Sequence, residues 1–442
     1  MRPPPESMVQ MAILPSLHRY ARRLNSRRAR AIASSLSAGI SEFFNEKTGT
    51  IERWMPSKSQ QLTPTEEQKK PRIMDSWYLH HPLLQISYLL EDGNLDDGIR
   101  ELFLKSVEFC TLVASKFDYE WPVFYDMDTL HATKEETAPG KGGQKDVGGL
   151  YAMLMMRAYK LMGDERYLSE ATKAADALMK YGLDLLYQSN NTATAAEALV
   201  ELWSVHQDVR YLEQAQLCLG NLIRNTSIWD RQYGNSMNIP TFFSLLPLSD
   251  APYSAVFEEQ ECVSTVHRTL RAVHFGEKGF SDELEMLLAE YIRYSALRIP
   301  YYFPPLLPED MLSPEPKTGF LDKDTWIPVE DIGDGWQPVG TVGQEVYGRG
   351  AAFSLLDPLT VDLMGKGQFL FINYPFVELE RIEYSIRLKV LGLPTCEFDY
   401  QFHGLGEDEY SIGFENGKTR TFSGRVSSAK ACGGQLITVK KM

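Results

Sequence analysis

Residues 118–129 interleave aromatic rings with carboxylates, a combination that suits a sugar ligand. The apolar face of a sugar stacks on aromatic rings, and its hydroxyl groups form hydrogen bonds with carboxylates. Asp126 and Asp128 are therefore candidate catalytic acids or bases, and Glu120 and Trp121 are candidate binding residues. In the alternative interpretation, Trp121 only plugs one end of the fold, and Asp126 or Asp128 caps a helix.

A second group of carboxylates lies in residues 258–261, near the start of a predicted helix. Glu258 and Glu261 are three positions apart, so they share one helical face. Two carboxylates held close together raise the pKa of one of them, and a protonated carboxyl group is what general acid catalysis needs. The alternative is an acidic face that is only solvated.

A different chemistry, proton abstraction from a uronic acid, requires a tyrosine or histidine base beside a neutralised carboxylate. Tyr233 and His80 are the candidate bases, and Asn191 and Arg231 are the candidate partners of the substrate carboxylate. His81 follows His80 directly, and adjacent side chains point apart in a helix, so at most one of the two serves a site. For Asn191, capping of a helix is the favoured alternative.

Further aromatic and polar residues lie in segments between predicted helices, where they would line the mouth of a cavity. The remaining candidate binding residues are Asp75, Trp77, Tyr78, Trp229, Tyr253, Glu345 and Tyr347. The glycines around Glu345 permit close backbone approach, and they equally suit helix packing. We predict no metal site and no cofactor, because the histidines and cysteines lack metal-ligand spacing and residues 343–350 lack the ending of a phosphate-binding loop.

A repeat of 44 residues indicates which elements carry these candidates. Residues 164–168, Asp-Glu-Arg-Tyr-Leu, return as Asp-Val-Arg-Tyr-Leu at 208–212. Such a period is long enough for two helices and their connections. In each copy the first helix is apolar on nearly every side, which predicts an inner helix, and the second is amphipathic, which predicts an outer one. Asp164 and Asp208 stand where they would cap the outer helices.

Extending this alternation predicts five helical hairpins before residue 300 and a short helix near residues 344–356 that contributes to a sixth. In an array of alternating inner and outer helices, all connections between one hairpin and the next lie on the same side. The long segments with the candidate residues are connections of this kind, so we expect them to share one rim. From about residue 367, short runs of β-branched and aromatic residues predict an antiparallel sheet. The predicted fold class is mainly α, an (α/α)5–6 toroid in residues 1–360 followed by a small antiparallel β domain in residues 361–442.

Composition limits the classes of partner. The 442-residue chain has a formal net charge of −14 at pH 7, which argues against nucleic acid, and no apolar run is long enough for a membrane span. Long polyanionic substrates are disfavoured unless a local basic cleft exists.

The first 40 residues contain seven arginines and one glutamate, which indicates either a transit peptide or a first hairpin. The scattered cysteines indicate a reducing compartment, so the predicted location is the cytoplasm, and the oligomeric state is left open.

The alternating hairpins and the stretch at residues 163–168 resemble the six-hairpin (α/α) toroid group, which includes glycoside hydrolases, N-acylglucosamine 2-epimerases and toroidal polysaccharide lyases. The resemblance covers residues 1–360 at the level of hairpin periodicity, and the β domain fits loosely. It implies a central cavity open at one rim, with a sugar or oligosaccharide as substrate. It transfers no catalytic motif residue by residue.

The sequence therefore predicts a carbohydrate-active enzyme with two open mechanisms. Hydrolysis would use Asp126 or Asp128 with Glu258 or Glu261, whereas uronate elimination or epimerisation would use the base and carboxylate partners named above. An isoprenoid cyclase is an alternative that would use residues 126–128, although Thr129 stands where a further Asp is expected. A non-catalytic α-solenoid scaffold would also show a 44-residue period, but it would not need long aromatic loops on one side.

Overall fold

Helices and short strands make up the described chain as far as residue 298, and from residue 358 onward it consists of strands and turns. The computed structural model describes residues 5–62, 67, 70–229, 242–249, 255–275, 279–298 and 358–442. The α-helices there are α1 (Ser7–Arg23), α2 (Arg27–Ala38), α3 (Ser76–Glu91), α4 (Asp97–Lys116), α5 (Val147–Met162), α6 (Glu165–Leu178), α7 (Ser189–His206), α8 (Val209–Arg224), α9 (Val256–His274) and α10 (Asp282–Arg298). The strands are β1 (Phe44–Asn45), β2 (Thr50–Ile51), β3 (Ile73–Asp75), β4 (Phe124–Asp126), β5 (Ala132–Lys134), β6 (Thr226–Trp229), β7 (Phe242–Leu245), β8 (Thr360–Asp362), β9 (Phe369–Ile372), β10 (Phe376–Ile382), β11 (Ser385–Val390), β12 (Glu397–Phe414), β13 (Thr419–Cys432) and β14 (Leu436–Lys441).

Consecutive helices pair into hairpins, and the odd-numbered helices form an inner wall. Helix α5 buries twelve of its sixteen residues, whereas α6 buries six of fourteen, as expected for an inner and an outer helix. Each inner helix contacts the next one along the chain, and all five face one central cavity. The predicted (α/α) toroid is confirmed, with five hairpins among the described residues, and the arrangement is a ring rather than an open solenoid. The helix predicted at residues 344–356 lies outside the described residues.

The repeated aspartates begin the outer helices, as predicted. The side chain of Asp164 accepts a hydrogen bond from the backbone N–H of Arg166 at 3.0 Å, and Asp208 accepts one from Arg210 at 3.0 Å. Each bond satisfies an amide group that has no partner within its own helix. The repeat is therefore a marker of helix starts, and the chemistry lies elsewhere.

The two inner helices of the repeat approach each other closely at Gly149. A Cβ atom at this position would lie 2.2 Å from the Cβ atom of Ala195, so only glycine permits the contact between α5 and α7. This close packing fixes the inner wall where it faces the cavity. Among the described helices, none has both the length and the apolar composition that a membrane span needs.

The connections before α3, α5 and α7 meet at the amino-terminal ends of the inner helices. Strands β3, β4 and β5 form a small antiparallel sheet there. The Gln144 amide donates to Asp75 at 3.1 Å, and Asp146 accepts from the backbone N–H groups of Tyr187 and Gln188 at 2.9 and 2.7 Å. These bonds join successive connections, in agreement with the predicted common rim.

Seven strands near the carboxyl end form one antiparallel sheet. Their order is β10-β11-β14-β12-β9-β8, and β13 pairs with β12. The sheet contacts the toroid, because Arg23 donates to Asp362 at 2.5 Å and the backbone N–H of Phe376 donates to Nε2 of His267 at 3.3 Å. The predicted antiparallel β part is confirmed. Its first strand begins at Thr360, and the domain boundary between residues 360 and 361 stays a prediction.

Candidate functional site

The inner helices enclose a cavity of about 340 Å³ along the axis of the toroid. On α1, α3 and α9 the residues facing it follow the spacing i, i+4, i+7, which keeps side chains on one face of a helix. Two polar layers result. The upper layer consists of His81, Asn190 and Glu261, and the lower layer consists of Tyr88, Arg157, Glu197 and Arg268. Seven residues of helix separate the two layers, a rise of about 10 Å.

Glu261 is the centre of the upper layer. Its Oε1 atom accepts hydrogen bonds from Nε2 of His81 at 2.5 Å and from Nε2 of Gln85 at 2.9 Å, and its Oε2 atom accepts one from Nδ2 of Asn190 at 2.6 Å. Three side-chain donors stabilise the carboxylate as an anion. The side chain of Glu261 is 19% exposed and that of His81 is 1% exposed. Glu261 is therefore the group of this pair that a ligand in the cavity would touch.

The His81 ring is held by its neighbours on both sides. Its centroid lies 5.7 Å from that of Trp77 and 5.6 Å from that of Phe257, and both contacts are edge-on. Edge-on aromatic packing fixes the plane of a ring. For His81 to donate to an ionised Glu261, its proton must be on Nε2. The position of the ring thus sets both the distance and the protonation of the dyad.

Glu258 lies one helical turn before Glu261 and is only 2% exposed. Burial is the main cause that raises its pKa to about 8, and the charge on Glu261 contributes in the same direction. Glu259, between them, is also buried, at 1% exposure. The alternative of a solvated acidic face is therefore wrong. The expected split of a carboxylate pair into one protonated and one ionised member is what these surroundings favour.

The lower layer is built from ion pairs around Tyr88. Arg268 donates to the two oxygens of Glu197 at 2.6 and 2.8 Å and to the Tyr88 hydroxyl at 3.1 Å. On the same ring, the guanidinium carbon of Arg157 lies 4.5 Å from the centroid, and its Nη2 atom donates to Glu91 at 2.5 Å. Burial raises the pKa of Tyr88 to about 12, so its hydroxyl group is neutral at physiological pH.

The candidates at the start of α3 are largely structural. Asp75 caps the helix through the backbone N–H of Trp77 at 2.8 Å, and burial raises the pKa of its carboxyl group. The guanidinium carbon of Arg53 lies 3.6 Å from the ring centroid of Tyr78. Trp77 reaches the upper layer only by packing on His81. The sequence prediction that all three residues bind a sugar directly gains no support from these contacts.

His80 does not face the cavity, contrary to its choice as the candidate base. It is fully buried, and its Nδ1 atom lies 2.7 Å from the carbonyl oxygen of Ser76. Burial lowers its pKa to about 4, so the ring is neutral at physiological pH. His81 lines the cavity instead, because the two side chains point apart on the helix.

At the start of α7, as with His80 and His81, the residue that reaches the polar layer is the direct neighbour of the predicted one. Asn191 is fully buried, whereas Asn190 bonds to Glu261 in the upper layer. An amide from this connection thus reaches the upper layer, but it belongs to Asn190, which bonds to Glu261 and does not line the cavity. The connection there is fixed by Asp146, which accepts a hydrogen bond from the Thr192 hydroxyl at 2.9 Å.

Asp126 and Asp128 are not brought together with Glu258 or Glu261. Asp126 accepts bonds from the backbone N–H groups of Asp128 and Thr129 at 3.0 and 2.8 Å, so it shapes its own loop. Asp128 pairs with Arg72 at 3.0 Å and with Lys47 at 2.9 Å, and these bonds lower its pKa to about 2. An acid with that pKa is ionised at neutral pH, so Asp128 is unsuited to protonating an alkene, and the cyclase alternative as a whole stays a prediction.

Glu120 and Trp121 have different surroundings although they are adjacent. The Glu120 side chain is 63% exposed and pairs with Lys180. Trp121 is buried, with ring centroids 4.6 Å from His80 and 5.4 Å from Tyr151. This supports the alternative that Trp121 plugs the end of the fold.

The other predicted residues lie where the structure gives no side-chain placement. For Trp229 only the backbone in strand β6 is described. Outside the described residues are Arg231, Tyr233, Tyr253, Glu345 and Tyr347. Within the described ranges, no group of three His, Cys, Asp or Glu side chains is placed to hold a metal ion.

The cavity residues that sequence reasoning missed share a recognisable pattern. They are His81, Gln85, Tyr88, Arg157 and Arg268, together with Asn190 and Glu197, which bond to lining residues without lining the cavity themselves. Most are polar residues four and three positions apart on helices that are otherwise apolar, as in 81, 85, 88 and 190, 194, 197. Polar side chains on one face of an inner helix have nowhere to point except the axis. The spacing of these polar residues could therefore have identified them from the sequence.

No protein-family model matches the chain, and no curated protein matches it either. Among solved structures, the chain is similar to cellobiose 2-epimerase from Bacillus thermoamylovorans, with a TM-score of 0.48 and 10% identity over 79% of this chain and 86% of that chain. It is similar to a sugar epimerase from a ruminal bacterium, with a TM-score of 0.47 and 11% identity over 79% of this chain and 87% of that chain.

A third similar structure is a family 76 glycoside hydrolase from a bovine Bacteroides thetaiotaomicron strain, with a TM-score of 0.47 and 14% identity over 79% of this chain and 68% of that chain. Epimerases and glycoside hydrolases are the enzyme groups that the sequence resemblance named. At these TM-scores the likeness adds nothing to the helix arrangement described above. The toroid is established by its own inner and outer helices, and the activity has to be argued from the cavity.

Proposed function

We propose that this protein is a carbohydrate-active enzyme that binds a sugar in the axial cavity and moves a proton between the sugar and Glu261. One observation carries the proposal: the carboxyl group of Glu261 faces the cavity and is held by donors from two other inner helices, α3 and α7. The cavity volume of about 340 Å³ is at the small end of the range for ligand sites, which suits one or two sugar rings.

The lining of the cavity has the mixture of groups that a sugar needs. Phe257 offers a ring for the apolar face of the sugar. Amide and hydroxyl groups that can bond to sugar hydroxyls are supplied by Ser16, Gln85, Thr194, Ser264 and Thr265. These groups support a neutral, hydroxyl-rich part of the ligand beside Glu261.

In this mechanism Glu261 is the catalytic base and His81 is a positioning residue. Glu261 accepts a proton from a sugar carbon next to a carbonyl or carboxylate group, so the C–H bond breaks and its electron pair stays on the sugar. His81 holds the carboxylate through a 2.5 Å bond, along which the proton can be shared. Return of the proton to the sugar gives an epimer or isomer, whereas loss of a leaving group gives an unsaturated product.

Hydrolysis by flanking carboxylates fits the cavity less well. It needs two carboxyl groups about 5 to 9.5 Å apart on either side of the scissile bond. The other carboxylate among the described lining residues is Glu91, ten positions after His81 on α3, which is a rise of about 15 Å. Glu91 is also paired with Arg157. Proton transfer is therefore the chemistry that the described residues support best.

A hydrolase remains a second candidate because of Glu258. A carboxyl group with a pKa of about 8 is protonated at neutral pH, as a general acid must be, and Glu258 is close to Glu261 on the same helix. Glu258 is buried and does not line the cavity, which is why this candidate ranks second.

Incubation with a panel of neutral and acidic sugars in D2O separates these mechanisms. We expect NMR to show deuterium entering the sugar carbon, or absorbance to show an unsaturated uronate, and we expect Glu261→Gln to abolish the signal. The matched control is Glu213→Gln on the exposed face of outer helix α8, which should react like the wild type. New reducing ends without deuterium at carbon would favour the hydrolase, and no reaction with any sugar would contradict the proposal.

A further inference from the structure

The lower layer of the cavity contains two arginines that flank one tyrosine ring. The guanidinium carbons of Arg157 and Arg268 lie 4.5 and 5.0 Å from the ring centroid of Tyr88. Both distances are typical of cation–π contacts, which stabilise a cation most where water is excluded. The ring therefore keeps two positive charges near each other beside the cavity.

Each guanidinium group uses only part of its hydrogen-bonding capacity. Arg268 donates from Nε and Nη2 to Glu197, and Arg157 donates from Nε to the Ser87 hydroxyl at 3.3 Å and from Nη2 to Glu91 at 2.5 Å. Within the described part of the chain, Nη1 of neither arginine has an acceptor. An arginine has five N–H donors, so two N–H groups on each residue remain for a ligand.

Both guanidinium groups are reached from the cavity. The Arg157 side chain is 9% exposed and the Arg268 side chain is 33% exposed, and both arginines line the cavity. A ligand that offers an anionic acceptor to such a charged donor gains affinity. Glu197 does not line the cavity, and its charge raises the pKa of Arg268. What faces a ligand is therefore the cation rather than its carboxylate partner.

The charge of the cavity wall differs from that of the whole protein. The chain has a formal net charge of −14. Among the described lining residues, the carboxylates are Glu91 and Glu261, whereas the arginines are Arg19, Arg23, Arg157, Arg268 and Arg271. Arg19, Arg23 and Arg268 are paired with Asp92, Asp362 and Glu197, which do not line the cavity, so the wall itself presents more cationic than anionic groups. A small acidic ligand inside the toroid is compatible with an acidic exterior, whereas a long polyanion is not.

We propose that the substrate is an acidic sugar whose oxyanion, a carboxylate or phosphate, binds between Arg157 and Arg268 while its ring reaches Glu261. This inference rests on the proposed function and names its substrate class. The layers are about 10 Å apart along the helices, and the arginine side chains shorten the gap that the ligand must span. One substrate can therefore contact both layers, and a neutral sugar would leave the lower layer unsatisfied.

Calorimetric titration of the full chain with D-glucose, D-glucuronate and D-glucose 6-phosphate tests this substrate class. We expect one of the acidic sugars to bind at least about tenfold more tightly than glucose, which corresponds to about 1.4 kcal/mol. The two acidic sugars distinguish a carboxylate site from a phosphate site. Equal affinities for all three sugars, or no binding of either acidic sugar, would overturn the proposal.

Variants of Arg157 assign the preference to the lower layer. Arg157→Gln should remove the tenfold preference, whereas Arg166→Gln, on the exposed face of outer helix α6, should keep it. Where Arg157→Gln does not fold, Arg157→Lys serves, because lysine lacks the planar fork and should reduce the preference severalfold. An unchanged preference in a folded Arg157 variant would overturn the assignment.

The binding measurements test the anion site and the turnover measurements test the proposed function, so one proposal can be refuted without the other. If Glu261→Gln leaves turnover intact but glucuronate binding depends on Arg157, the proposed function is wrong and the anion site stands. If Glu261→Gln abolishes turnover of a neutral sugar and no acidic preference exists, the anion site alone is wrong.

Discussion

Helix α9 and the loop after α4 carry similar sets of acidic side chains, but their surroundings differ. In the loop, Asp126 bonds to backbone N–H groups two and three residues further on, and Asp128 pairs with exposed cations. On α9, Glu258 is buried, and Glu261 is held by side chains from other inner helices. Asp126 thus shapes its own loop and Asp128 joins that loop to neighbouring segments, whereas the partners of Glu261 place its carboxylate in the cavity of the folded toroid.

The two regions also shift their pKa values in opposite directions. Hydrogen bonds to Arg72 and Lys47 lower the pKa of Asp128 to about 2. Burial raises the pKa of Glu258 to about 8. A carboxylate that is ionised at every physiological pH can stabilise the structure through ion pairs. A carboxyl group that stays protonated at neutral pH, or that lies beside another carboxyl group, can take part in proton transfer. The comparison therefore predicts which acidic residues matter for activity and which matter for the loop.

Removing one hydrogen-bond partner from each carboxylate is the strongest test of this difference. His81→Leu takes a donor from Glu261 and should lower kcat/KM about 100-fold or more, because the base loses its positioning group. His81→Gln should recover part of the loss, since an amide also donates to Glu261. The matched loop variant, Lys47→Met, takes a partner from Asp128 and should leave kcat/KM within about twofold.

Steady-state kinetics over a range of pH checks this prediction. The acidic limb of the profile should shift in both His81 variants and stay in place in Lys47→Met. A similar loss of activity in Lys47→Met would show that the loop contributes to the reaction and would erase the distinction between the two regions.

The pH dependence of stability gives the next largest effect. The pKa of Glu258 is raised from 4.5 to about 8 in the folded protein, so between these values the folded state holds a proton that the unfolded state releases. The stability of the wild type therefore falls as the pH rises through this window. Glu258→Gln lacks this penalty, and its advantage over the wild type should grow from near zero at pH 4.5 to a few kcal/mol at pH 8.

Urea unfolding at several pH values measures that advantage. Glu213→Gln on exposed helix α8 should differ from the wild type by a nearly constant, small amount. A Glu258→Gln advantage that does not change with pH would mean that Glu258 is ionised in the folded protein, and the contrast with Asp128 would disappear.

The hairpin architecture was predictable because its signals are local. Apolar spacing marks inner and outer helices, and Asp164 and Asp208 mark helix starts within two residues of their partners. The carboxylates of α9 were also identifiable, since Glu261 stands on an inner helix. What the sequence left undecided was which of several neighbouring polar residues faces the axis.

That choice depends on the rotation of each helix, which long-range packing sets. His80 and His81 are chemically identical, but only His81 lines the cavity, and of Asn190 and Asn191 only Asn190 bonds to Glu261. Arg268 looks like an ordinary helical arginine until Glu197, far away in the chain, is placed beside it. The loop has the composition of a sugar site, but Asp126 bonds within the loop and Asp128 pairs with Arg72 and Lys47, which the sequence alone did not place beside it.

Substitution of Asp126 tests the structural role of the loop, with a smaller expected effect on stability than substitution of Glu258. Asp126→Ala removes the acceptor of two backbone bonds and one bond from the Thr129 hydroxyl. We expect a loss of about 1 kcal/mol in the free energy of unfolding, comparable to loss of a helix cap, with kcat/KM unchanged. Paired urea unfolding and kinetic measurements decide this, and a loss of activity without a loss of stability would return Asp126 to the catalytic set.

We expect substitution of Asp128 to have the smallest effect on the free energy of unfolding. The contribution of Asp128 to stability changes with pH in the opposite direction to that of Glu258. Its pKa is lowered from 3.8 to about 2 in the folded protein, so its ion pairs contribute stability above pH 4 that is lost as the pH falls toward 2. The side chain is 32% exposed, and solvent screens such pairs, so Asp128→Asn should cost less than about 1 kcal/mol at pH 7. Urea unfolding should show this cost shrinking at pH 3 and in 1 M NaCl. A cost that is constant with pH and salt would mean that Asp128 acts through its shape, because only a charge interaction is screened by salt and removed by protonation.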